Sequence, residues 1–352
     1  MNGSKIRMQL SCPMPKLDYE IITLGHGSGG MLTNQLLDNL IFKALGNPIL
    51  DRRHDGAQLQ MQGQLAFTTD SFVISPVFFP GGNIGELAVN GTVNDLAMSG
   101  AIPQYLSLSF IIEEGMRVEE LWAILDSIKQ ACEQANVKIV TGDTKVVERG
   151  KGDKIFVNTS GIGSLHPKAK IDVSRIEAGD KVIVSGPVAS HGIAIMSVRE
   201  GLNFGTSLES DTQALHHATL PLLEAFGEAV KLLRDPTRGG VAASLNEMAR
   251  DRDIGIELRD HRIPMLEEVR GGCELLGLDP LYVANEGIFL AVVDGQAADS
   301  ILNQLQSIPG FGQAAIIGEV VEAHPKQVIL HSGIGGKRVV HMLVGEQLPR
   351  IC

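Results

Sequence analysis

The chain has 352 residues, 44% of them hydrophobic, and its 30 basic residues against 41 acidic ones leave a net charge of −11. That length buries one large core or two medium ones, and with no Lys/Arg block the charge repels the backbone of a nucleic acid instead of gathering it. No apolar run approaches the roughly 20 residues that span a bilayer, and the four cysteines, Cys12, Cys132, Cys273 and Cys352, form no C-x-x-C pair, so free thiols in a reducing cytoplasm are expected.

Residues 1–18 carry Lys5 and Arg7 with no apolar segment behind them and read as a loose extension, not a signal peptide. "EIITLGHGSGG" then reads as a strand running into a glycine loop, and the following stretch places Leu32, Leu36, Leu37, Leu40 and Ile41 on one helical face. "QLAFTTDSFVI" is expected as a strand, "GELAVNGTVNDLAMSG" as a helix and "QYLSLSFIIEE" as a strand. In "RVEELWAILDSIKQACEQAN" the residues Val118, Leu121, Trp122, Leu125, Ile128 and Cys132 form an amphipathic stripe. Two strands, "VKIVTGDTKVVE" and "DKIFVNTSGIGSL", close the first half. A composition change at 166–180 marks a boundary, after which strand "KVIVSG", helices near 190–200, 218–233 and 240–252, strands "GIELRD" and "EGIFLAVVD", a helix near 296–307 and strand "AAIIGEVVE" follow. The expected domains are 19–172 and 173–340, two mixed α/β halves of similar rhythm, with a tail at 341–352.

Gly25–Gly30, "GHGSGG", fits G-x-G-x-x-G between a strand and a helix, and Asp51 follows about twenty residues on, as the dinucleotide fingerprint asks. An NAD-dependent Rossmann dehydrogenase is therefore one reading. A cradle of glycine amides for a phosphate is a second, and a turn that only needs positive φ is a third. Asp70 in "TTDS", Asn94 and Asp95 in "NGTVNDLA", and Asp143 with Lys145 in "TGDTK" sit at the ends of expected elements. Singly each is a cap or turn former; converging, they offer the oxygens a hard cation needs beside phosphates. No Walker A sequence is present, and "GIGGKR" at 333–338 has the wrong spacing. Further along, "RDPTRGG" opens a helix at Arg234–Gly240, and "ANEGIF" puts Glu286 just before a buried strand. His191 is expected to be structural, and no nucleophile elbow or H-E-x-x-H occurs. The chain ends in "LPRIC", Leu348–Cys352, a thiol on a Pro-stiffened tail.

The blocks "HGSGGM", "TTDSFVISPVFFPGGNIGELAVNGTVNDLAMSGAIP", "IVTGDTKVVERG", "RDPTRGGV", "RGGCELLGLDP", "ANEG" and "PRIC" resemble, from about Gly25 to Cys352, the HypE-type carbamoyl dehydratases of hydrogenase maturation. That resemblance implies a PurM-like fold of two α/β domains and a homodimer whose amino-terminal sheets pair into a central β-barrel. It implies that Cys352 receives a carbamoyl group from HypF and that ATP phosphorylates the carboxamide. Loss of phosphate then leaves a thiocyanate whose cyano group goes to iron on HypC–HypD, for [NiFe]-hydrogenase. It assigns Gly27, Ser28, Gly29 and Gly30 to the phosphates, with Asn94 and Thr144 also on the nucleotide. Asp70, Asp95 and Asp143 are assigned to Mg²⁺ and the phosphates, and Lys145, Glu286 and His26 to the carboxamide, with the roles of Lys145 and Glu286 exchangeable and orienting the tail as the alternative for Glu286. A non-catalytic carrier that only presents Cys352 is the alternative from another class. The tail from His341 reaches roughly 35–40 Å if extended.

Overall fold

The computed structural model describes residue 11, residues 13–202 and residues 208–343. Cys12, Cys352 and the "LPRIC" tail lie outside the described residues. The chain divides into two compact units, one from residues up to Leu96 together with Pro103–Ser164, the other from Ala97–Ile102 together with the chain from Leu165.

In chain order the first unit begins with a continuous helical run: α1 (Met31–Leu36), a π-helical turn (Leu37–Ile41) and α2 (Phe42–Leu45). Strand β1 (Leu65–Phe72), a hairpin of β2 (Phe78–Phe79) and β3 (Gly82–Asn83), helix α3 (Ile84–Met98), strand β4 (Ala101–Glu113), helix α4 (Val118–Ala135) and strands β5 (Lys138–Val147) and β6 (Ile155–Leu165) follow. The sheet order is β1-β6-β4-β5, with β1/β6 antiparallel and β4/β5 parallel. The expected apolar stripe of α4 is buried throughout. Helix α3 lies on β6, where the Thr159 hydroxyl donates to the Ala88 carbonyl at 3.3 Å and meets the Thr92 hydroxyl. Elsewhere the sheet leaves Leu65, Phe67 and Ile111 exposed, Phe67 at 71%.

The second unit adds β7 (Lys181–Val184), α5 (Ser190–Glu200), α6 (His216–Phe226), β8 (Val230–Arg234), α7 (Gly240–Arg252), β9 (Gly255–Arg259), α8 (Glu267–Leu276), β10 (Leu290–Val293), α9 (Ala298–Gln306), β11 (Ala315–Val321), β12 (Gln327–His331) and β13 (Lys337–Val340). They form one sheet in the order β13-β12-β9-β11-β7-β10-β8. Its central strands are apolar on both faces: Val182, Val184, Leu290 and Val292 join one core with α5, α7 and α8, while Ile183, Ala291 and Val293 join another with α6 and α9. Period-2 alternation thus feeds two cores from one strand.

Three sequence expectations are corrected. The helix expected over 218–233 ends at Phe226, where Gly227 takes φ 48°, and "VKLLR" becomes β8 because its apolar run is buried in the sheet. The strand expected in "EIITLGHGSGG" is reduced to an isolated bridge between Ile21 and Arg117, followed by a 3-10 turn, Leu24–Gly27. The acidic residues expected at element ends lie inside elements: Asp70 in β1, Asn94 and Asp95 in α3, Asp143 in β5. Among the described residues no helix is long and apolar enough to cross a membrane.

Candidate active site

A cavity of about 270 Å³ opens in the first unit. Its apolar wall comes from Leu37, Phe42, Leu108 and Phe110, and its polar rim from Gly27, Gly29, Thr33, Asp143, Thr144 and Lys145. The glycine turn is held by its own side chains: Ser28 Oγ donates to the Gly25 carbonyl at 2.9 Å, and the Gly29 amide donates to Thr33 Oγ1 at 2.9 Å. Gly30 is the N-cap of α1. Gly27 sits hard against β5, where a Cβ would lie 2.6 Å from the Val146 nitrogen, so the turn approaches the strand only because this residue lacks a side chain.

On the same strand Lys145 Nζ lies 2.9–3.0 Å from the Asp143 carboxylate, and the Thr144 amide donates to Asp143 Oδ1 at 2.8 Å. The Lys145 bond, followed by that amide, holds the Asp143 carboxyl below its usual range. Asp143 is thus an anion on the rim of a cavity whose other polar parts are amides, hydroxyls and one ammonium. That donor set fits a polyanion carried with a divalent cation.

Asp70 and Asp95 lie on neighbouring elements elsewhere in the unit, β1 and α3. Thr68, two residues before Asp70 on β1, donates to Asp95 Oδ2 at 2.7 Å. Asp70 Oδ2 would lie 4.0 Å from a Cβ on Gly91, one helical turn before Asp95. Asn94, next to Asp95 in sequence, is buried at 1% exposure. The structure does not bring Asp143 to this pair within one chain. β1 and β5 are opposite edges of the sheet, three strand spacings or about 14 Å apart, and no group of three metal-ligating residues forms among the described residues.

His26 is buried beneath the turn and is not on the cavity rim. Its Nδ1 accepts from the Thr23 amide at 3.0 Å, its ring packs on Tyr19 at 4.4 Å, and burial lowers its pKa. Burial thus disfavours a charge on the ring, and Nδ1 ties it to the turn. Asp51, the acid demanded by the dehydrogenase reading, sits in a 3-10 turn, Leu50–Arg52, not at the end of a second parallel strand. With no strand entering the glycine turn, the Rossmann geometry is missing.

In the second unit Glu286 is buried at 4% exposure ahead of β10. Its neighbour Asn285 ties two helix entries together: Oδ1 accepts from the Ala189 amide at 2.6 Å, before α5, and Nδ2 donates to the Pro236 carbonyl at 2.8 Å, before α7. The Glu286 and Gly287 amides donate to Asp211, a residue the sequence reading passed over, because "LESDTQ" looks like any polar linker. His191 is fully buried, with Nδ1 2.8 Å from Ser210 Oγ. Both described cysteines are free and buried, and burial pushes Cys132 up to about 12 and Cys273 up to about 11.

Both units match known sequence families, AIR synthase related protein, N-terminal domain, over residues 53–165, and AIR synthase related protein, C-terminal domain, over residues 177–331. Carbamoyl dehydratase HypE of Azotobacter vinelandii is 47% identical over 342 residues, covering 96% of this chain and 100% of that protein. The chain belongs to the HypE family of carbamoyl dehydratases. A crystal structure of hydrogenase maturation protein HypE in complex with ATP superposes with a TM-score of 0.90 at 43% identity, over 94% of this chain and 99% of the other. The HypE chain of a HypE–HypF complex gives 0.77 at 43% identity, over 89% and 100%. The fold is accordingly the mixed α/β, PurM-like one that the HypE resemblance implies.

Proposed function

We propose that this protein converts a carbamoyl group on its own Cys352 into a thiocyanate at the expense of ATP, for the cyanide ligand of a [NiFe]-hydrogenase iron. The observation that carries it is the cavity over which the glycine turn, Asp143 and Lys145 converge, in a chain whose relative has been solved with ATP. The unit containing Pro103–Ser164 serves as the nucleotide-binding and dimerisation domain, the other unit as the second domain, and 341–352 as the tail that carries the substrate. HypF donates the carbamoyl group, HypC–HypD accepts the cyano group, and the work is done in the cytoplasm. The exposed apolar residues Leu65, Phe67 and Ile111 support a homodimer that closes two sheets into a barrel.

An amide oxygen leaves poorly until it is phosphorylated. The carboxamide oxygen attacks the γ-phosphorus of ATP, ADP departs, and a nitrogen-bound proton is removed, giving an imidate phosphate. Loss of the second N–H proton expels inorganic phosphate and forms the carbon–nitrogen triple bond, so the net change on the thiol is one water. Gly27, Ser28, Gly29, Gly30 and Thr144 position phosphates by their amides and hydroxyls, and Asn94 serves the nucleotide with them. Lys145 and Glu286 polarise and deprotonate the carboxamide. Asp70 and Asp95, with Asp143 of a second copy of the chain, would hold Mg²⁺, and that ion would neutralise phosphate charge. The test is the mass of the C-terminal peptide after the carbamoyl donor and then Mg-ATP are supplied.

A further inference from the structure

Glu286 is a buried acid on a loop, and a base that must meet a small carboxamide has to be held to a fraction of an ångström. Its peptide supplies part of that hold. Asp211 Oδ1 accepts from the Glu286 amide and Oδ2 from the Gly287 amide, both at 3.2 Å, so one carboxylate grips two successive N–H groups. From the same loop, Gln213 Nε2 donates to the Gly287 carbonyl at 2.8 Å, gripping the peptide from its other end. A Cβ on Gly287 would lie 1.5 Å from the Asp211 carbonyl oxygen, so the two backbones are in contact with no side chain between them.

We propose that Asp211 is the positioning residue of Glu286, a clamp that fixes the acid's backbone for proton abstraction from the carboxamide; this rests on Glu286 serving that reaction. The clamp needs two acceptor oxygens, which only an ionised carboxylate offers at this size. Burial pushes Asp211 up to about 6, against the pull of the amides of Glu286, Gly287, Asp211 itself and His191. The residue is therefore kept as an anion at neutral pH against its enclosure, as expected where charge serves position and not stability. Asparagine keeps the shape but turns an NH₂ toward one of the two N–H donors.

The experiment uses the full chain carbamoylated on Cys352, with thiocyanate formation followed in single turnovers. Asp211→Asn is expected to slow conversion about 10- to 100-fold, with ATP affinity within twofold of the parent and no lower melting temperature. Added to Glu286→Gln it is expected to cost less than a further twofold, because both act through one group. Asp211→Asn at the parental rate, or a full multiplicative loss on top of Glu286→Gln, overturns the clamp. So does a joint fall in melting temperature and ATP affinity, which marks a scaffold residue. Glu286→Gln at the parental rate overturns instead the assignment of Glu286, so the two failures are distinct.

Discussion

Replacing Gly27 by alanine adds one methyl group where the glycine turn meets β5. The new Cβ would stand 2.6 Å from the Val146 nitrogen, 2.8 Å from its Cβ and 3.0 Å from Cγ2. Ordinary contact begins near 3.4 Å, so turn and strand must part by about 0.8 Å. The nearest atom is backbone nitrogen, which no rotamer change relieves. Overpacking of this kind costs about 1–3 kcal/mol of stability. The functional effect is larger, because Val146 adjoins Lys145 and Gly27 shares the cavity rim with it. A misplacement near 1 Å can cost about 100-fold in rate. Gly27→Ala is therefore expected to lower single-turnover phosphate release from ATP and carbamoylated protein about 10- to 100-fold, while the second unit's fold is unchanged. The assay pairs that rate with a thermal melt. A variant with parental turnover and parental stability would refute the contact and the turn's part in the site.

Glu86, in the first turn of α3, has its pKa raised to about 7 by burial. The folded protein holds this proton between pH 4.5 and 7 while the unfolded chain releases it, so stability falls as pH rises through that window and is flat above it. Glu86→Gln should remove up to about 3 kcal/mol of that loss at pH 8 and little at pH 4.5; urea melts with parallel pH dependence in both proteins would contradict this. His216 runs the other way. Burial, with His217 beside it, lowers its pKa to about 4. Stability is present above pH 6.5 and lost as pH falls toward 4, by up to about 3 kcal/mol. His216→Gln should flatten that acid limb, and an unchanged limb in denaturant titrations would locate the acid sensitivity elsewhere.

Long periodic elements were legible in the sequence. The apolar stripe of α4 is buried as its spacing demands, and β4 and β6 alternate between buried and more exposed positions along most of their length. "VKLLR" was not, because five residues with three apolar ones among them have no period of their own and only the sheet around β8 makes them a strand. The glycine turn was legible as a turn, but its resemblance to a dinucleotide loop depended on a strand that pairs through one bridge. The acids Asp70, Asp95 and Asp143 were visible as residues, whereas their separation to opposite sheet edges follows from strand order. Asp211 left no local signal, since its partners Glu286 and Gly287 lie more than 70 residues away.

The central claim is that the chemistry occurs on this chain, at the cost of ATP, on Cys352. Mass spectrometry of the C-terminal peptide measures it directly, first after the carbamoyl donor and then after Mg-ATP. The account predicts a carbamoyl adduct that loses the mass of one water on adding ATP, and that persists when Lys145 is replaced by alanine. An adduct that keeps its mass while ATP is present would contradict it and leave the protein a carrier whose chemistry is done by another.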